Sequence, residues 1–146
     1  LKARGLEVER PPRQHEEARV REVPIVGRIA AGSPILAVEN VEGRVPVARE
    51  WANGEEVFLL RVEGESMVPT LCDGDYILVR CQPAVEEGEI AAALLDGEVT
   101  VKRFYTRGAA VVLKPDNDAV EPITVSAGQG VQLRILGKVI GVYRRL

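Results

Sequence analysis

Glu89-Ile90-Ala91-Ala92-Ala93-Leu94-Leu95-Asp96-Gly97-Glu98-Val99-Thr100-Val101-Lys102-Arg103-Phe104-Tyr105 sets two strand-like arms around Asp96-Gly97. That dipeptide is the best short-range hairpin signal in the chain, so residues 89–95 are expected to pair with residues 98–105. Outward from the hairpin the same grammar repeats. Val57–Val62 is apolar and β-branched, and Tyr76–Arg80 follows the turn Asp73-Gly74-Asp75. Ala110–Lys114 precedes the turn Pro115-Asp116-Asn117-Asp118. Ile123–Val125, Val131–Ile135 and Val139–Tyr143 complete the series. Only Met67–Leu71 and Ala48–Asn53 read as helical turns. Many short strands at regular spacing predict a mostly β domain, a compact sandwich or partly closed barrel.

Composition narrows the function. With 146 residues, 46% of them hydrophobic, one core of ordinary size is within reach. No apolar run approaches the ~20 residues of a membrane helix, and no secretory signal follows Leu1. The formal net charge of −3 argues against direct DNA contact, which calls for a basic excess. Cys72, Cys81 and a lone His15 supply no zinc ligand set, so neither a metal nor another cofactor is expected. The two thiols read as reduced in a cytoplasmic protein. Residues 1–22 are charged and carry Pro11-Pro12, the composition of an extended linker, and the β-rich part is expected over residues 23–146. A first residue that is Leu suggests a piece of a longer polypeptide.

Ser66, in Val-Glu-Gly-Glu-Ser-Met-Val-Pro-Thr-Leu (62–71), and Lys102 read as a candidate catalytic pair in the absence of a usable histidine. A serine hydroxyl needs a neighbouring base to take its proton. Lysine serves only when neutral, and burial among apolar groups such as Val99, Val101 and Phe104 lowers its pKa. Gly64 permits a sharp bend before Ser66. Amides near Glu65 and Met67 are candidates for an oxyanion hole, and Met67, Val68 and Leu71 for the apolar lining of a cleft. Upstream, Ala30-Ala31-Gly32 has side chains small enough to enter a narrow cleft, followed by the stiff Pro34. Taken singly, each element reads as an ordinary turn serine, strand lysine or Gly/Ala loop. Together they describe a nucleophile, a base and a peptide bond for them to cut. The segment around Ala31–Gly32 is expected to alternate between a position away from Ser66 and one inside the cleft that buries Lys102.

Four blocks, VGRIAAGSP, VEGESMVPTLCDGDYILV, GEVTVKRFY and GKVIGVYR, resemble the self-cleaving LexA/UmuD and phage-repressor family. The likeness to the C-terminal part of LexA-type repressors runs from about Val23 to Leu146. LKARGLEVER looks like the end of the winged helix-turn-helix domain that precedes the linker there. The resemblance implies Ser66 as nucleophile, Lys102 as general base and Ala31–Gly32 as the scissile bond. It also implies a LexA/signal-peptidase type of β fold and a homodimer formed partly through Gly137–Tyr143. The intact repressor of this kind controls DNA-damage (SOS) genes. Its self-cleavage is stimulated by RecA filaments on single-stranded DNA, and it reaches operator DNA only through the N-terminal domain. A UmuD-like mutagenesis protein, a prophage repressor and a non-enzymatic β-rich dimerisation module are the competing readings.

Overall fold

The computed structural model describes residues 19–29, 32–52 and 56–146. Nine strands among them form one sheet: β1 (Val20–Val26), β2 (Val41–Ala48), β3 (Val57–Arg61), β4 (Tyr76–Cys81), β5 (Ile90–Leu95), β6 (Glu98–Arg107), β7 (Ala110–Lys114), β8 (Ile123–Val125) and β9 (Leu133–Tyr143). Their order is β2-β1-β3-β4-β9-β5-β6-β7-β8, with β2 and β8 at the two ends. The mostly β expectation holds. Short 3-10 turns at Val38–Asn40 and Arg49–Trp51 are the helical pieces among the described residues.

The hairpin at the centre of the sequence forms as read. Asp96 and Gly97 take φ values of 49° and 86°, the left-handed geometry of a tight two-residue connection. Ala91 then faces Lys102, and Ala93 faces Thr100. Directly opposed residues share a face of the sheet, so two small methyl groups lie beside the lysine stem.

β3 and β4 bury both of their faces. Phe58, Leu60, Ile77 and Val79 pack into one cluster with Val26, Ile29, Val62, Met67, Leu71, Ala92 and Leu136. Val57, Leu59 and Leu78 face the other way, against Val23 and Ala52. Alternate side chains of a strand point to opposite faces, so an unbroken apolar run such as Val57–Leu60 belongs where a sheet is covered twice.

Two details differ from the sequence reading. β1 begins at Val20, so Val20–Glu22 belong to the sheet, not to the expected linker. The charged residues of β1 are tolerated because it pairs with β2, the end strand, which leaves polar positions exposed. Val131–Ile135 and Val139–Tyr143 are not two strands; β9 runs unbroken through Gly137. A Cβ on Gly137 would sit 2.1 Å from the Arg80 carbonyl oxygen, so glycine is what lets β9 lie close against β4. Met67–Leu71 forms the expected helical turn, Leu71 N–H donating to the Met67 carbonyl at 2.9 Å.

Candidate active site

Ser66 sits on the connection between β3 and β4. Val62 N–H donates to the Asp75 carbonyl at 2.7 Å, and Gly74 N–H to the Val62 carbonyl at 2.8 Å, closing the connection at its base. Gly64 has φ of +89° and donates its N–H to Asp73 Oδ1 at 2.7 Å. An L side chain is disfavoured at that φ, which is why the bend needs glycine. Met67 and Leu71 are buried and anchor the underside in the core. Among the described residues, the Ser66 and Met67 amides donate to no protein acceptor.

Behind this turn, Asp75 is 2% exposed. Its carboxylate accepts two hydrogen bonds of 2.7 Å from Arg144, just past β9, and one of 2.8 Å from Cys72 N–H. The Arg144 guanidinium holds the Asp75 carboxyl below the usual carboxylate range.

Lys102 is 8% exposed although it carries an amine. Its Nζ donates to Thr100 Oγ1 at 2.7 Å, two residues back on the same face of β6. No carboxylate lies within ion-pair distance of it among the described residues. Burial therefore pushes the Lys102 pKa down, because no opposite charge offsets the lost hydration of the ammonium.

One cavity of about 540 Å³ joins these elements. Ser66, Met67, Thr100 and Lys102 line it, and so does the chain from Ile25 to Ile29. Ile29 is buried in the core cluster beside Val62, Met67 and Leu71. Past it, Ala30 and Ala31 lie outside the described residues, and Gly32 resumes with φ of +79°. Glu65 is exposed and absent from the lining, whereas Met67 is part of it.

Asn40, which the sequence reading did not single out, closes the loop that contains Ala31–Gly32. Its carbonyl accepts from Gly27 N–H at 2.9 Å. Its buried side-chain amide donates toward the Pro34 and Ile35 carbonyls at 3.0 and 3.1 Å and toward Ser33 Oγ at 3.3 Å. A lone Asn after a Val-Glu pair carries no sequence signal for such a role; only the fold reveals it. Cys72 and Cys81 are free thiols, and burial pushes Cys81 up to about 11, which keeps it unreactive at neutral pH. No metal-binding cluster occurs among the described residues. Nor is any helix among them long and apolar enough to cross a membrane.

A buried amine, a serine at a glycine bend and the chain segment from Ile25 to Ile29 thus share one cleft. The Peptidase S24-like family matches residues 24–140, and this chain belongs to it. Among curated proteins the chain is similar to the LexA repressor of Streptomyces coelicolor, 51% identical over 125 residues, covering 85% of this chain and 51% of that protein. The LexA repressor of Desulfitobacterium hafniense strain DCB-2 is 44% identical over 146 residues, covering 99% and 69%. That of Acidothermus cellulolyticus is 46% identical over 148 residues, covering 98% and 52%. The chain spans about half the length of most of these curated relatives.

Proposed function

We propose that this chain is the self-cleaving part of an SOS-type transcriptional repressor and cuts its own Ala31–Gly32 bond. The observation that carries the reading is the shared cavity: Ser66, Lys102 and the segment leading to Ala30 all line it. Relatives named LexA repressor favour the repressor over a UmuD-like protein or a passive dimerisation module.

Neutral Lys102 takes the proton of Ser66 Oγ as that oxygen attacks the Ala31 carbonyl carbon. Free amides at Ser66 and Met67 stabilise the oxyanion that forms. The C–N bond to Gly32 then breaks, and the proton on Lys102 passes to the departing amine. Water, deprotonated by Lys102, hydrolyses the ester on Ser66 and restores both side chains. Because nucleophile and substrate are covalently joined, no intermolecular binding step is required. In the whole protein, cleavage would part a DNA-binding N-terminal domain, which contacts the operator, from a homodimer-forming C-terminal domain. A RecA filament on single-stranded DNA would act by favouring the docked loop, without lending catalytic groups. Such a repressor works in the cytoplasm.

The test is incubation across pH 7 to 10 with intact-mass analysis. A fragment beginning at Gly32 is expected from the wild type and from neither Ser66→Ala nor Lys102→Ala. The same fragment from either variant at the wild-type rate would end this mechanism.

A further inference from the structure

The turn between β7 and β8 reaches across to Ser66. Asn117 donates its backbone N–H to the Ser66 carbonyl at 3.0 Å and its side-chain Nδ2 to the Glu65 carbonyl at 3.0 Å. Its own Oδ1 accepts from Ala119 N–H at 2.9 Å, so the side chain is itself fixed. Next to it, Asp116 accepts from Thr70 Oγ1 at 2.6 Å on the Ser66 side. The same carboxylate accepts from Arg103 at 2.9 and 3.3 Å, one residue after Lys102. Pro115 is fully buried and roots the turn.

The two carbonyls Asn117 holds are those flanking Ser66. Each belongs to a planar peptide unit whose N–H points the opposite way from its C=O. The Glu65 carbonyl shares its unit with Ser66 N–H, and the Ser66 carbonyl shares its unit with Met67 N–H. Drawing both carbonyls toward Asn117 therefore turns both amides away from it. Neither of these two amides has an acceptor among the described residues. The turn's own bond here, Val68 N–H to the Glu65 carbonyl, is long at 3.4 Å and fixes little.

We propose that Asn117 is a positioning residue: by holding the carbonyls of Glu65 and Ser66 it aims the Ser66 and Met67 amides as an oxyanion hole. Asp116 ties the same turn to β6, so the amides and Lys102 keep one spacing. The proposal rests on Ser66 being the nucleophile, and the experiment separates the two ideas.

Self-cleavage of Asn117→Ala and Asn117→Asp is followed across pH, together with labelling of Ser66 by a fluorophosphonate read by intact mass. Asn117→Asp keeps the size, the backbone N–H and the acceptor for Ala119, but replaces the Nδ2 donor with an oxygen. Both variants are expected to cut about 100-fold more slowly, the scale of a lost oxyanion-hole donor. Labelling should slow in parallel, because the tetrahedral phosphonyl oxygen needs the same amides. The midpoint of the pH profile should stay put, since Lys102 is untouched. Cutting and labelling within twofold of wild type in a folded Asn117→Asp protein would overturn the proposal. So would a moved midpoint with an unchanged plateau. Should Asn117→Ala fail to fold, the Asp variant decides. A Ser66→Ala control that still cuts would sink the nucleophile itself; a dead control beside fast Asn117 variants would sink only the positioning role.

Discussion

Ile29→Ala tests whether the segment seen in the cleft is the one that delivers the bond to Ser66. Ile29 is 8% exposed and packs with Val62, Met67 and Leu71. Replacing it with alanine removes three buried carbons, a loss of about 2.4 kcal/mol at ~0.8 kcal/mol each. That corresponds to a roughly 50-fold smaller ratio of docked to undocked segment. The loss divides between two observables. If docking is strongly favoured at rest, global stability absorbs it and cutting barely slows. If the docked form is rare, cutting slows by the full factor and stability barely moves. In every intermediate case the stability change plus RT ln of the rate ratio adds up to the same ~2.4 kcal/mol. Plateau cutting rates from gels, and urea unfolding in the Ser66→Ala background, give the two quantities. Ile29→Val removes one carbon, and its sum should be about 0.8 kcal/mol. A sum near zero for Ile29→Ala would mean that the packing of this segment is unrelated to docking.

Lys102→Met should stabilise the fold in a pH-dependent way. With the folded pKa below the unfolded value of ~10.4, the unfolded chain binds more protons between the two, so wild-type stability climbs as pH rises through that window. The advantage of the methionine variant is therefore largest below the folded pKa and vanishes above ~10.4; unfolding both proteins at several pH values in the Ser66→Ala background reads it, and a constant difference would contradict the burial argument. Gly137→Ala should cost about 2 kcal/mol, since its Cβ would meet the Arg80 carbonyl oxygen at 2.1 Å, a backbone atom that cannot swing aside. Gly43→Ala, whose Cβ would meet Ile25 at 3.6 Å, should change stability by less than about 1 kcal/mol, and equal midpoints for the two in urea would discredit the clash.

What could be read from the chain was local. Asp96-Gly97 announced its hairpin because both residues favour the left-handed backbone that the turn requires. Ser66 and Lys102 stood out because a serine without a usable histidine narrows the choice of base. β2 escaped notice because Pro46 sits within it, and proline is tolerated there only because β2 is an end strand. Whether a strand lies at the end of a sheet is a property of the assembled fold. Asn117 was legible only as part of a turn. Its bond to Glu65 spans 52 residues, a relation that no short pattern encodes. Asn40 escaped for the same reason: its meaning comes from the loop that closes around it.

The fork of Arg144 on Asp75 links the segment after β9 to the base of the turn that carries Ser66. A deletion from Arg144 onward, an innocuous choice for someone shortening an exposed tail, would strip a sunken carboxylate of its counter-charge. The damage would surface away from the cut, in the turn that carries Ser66.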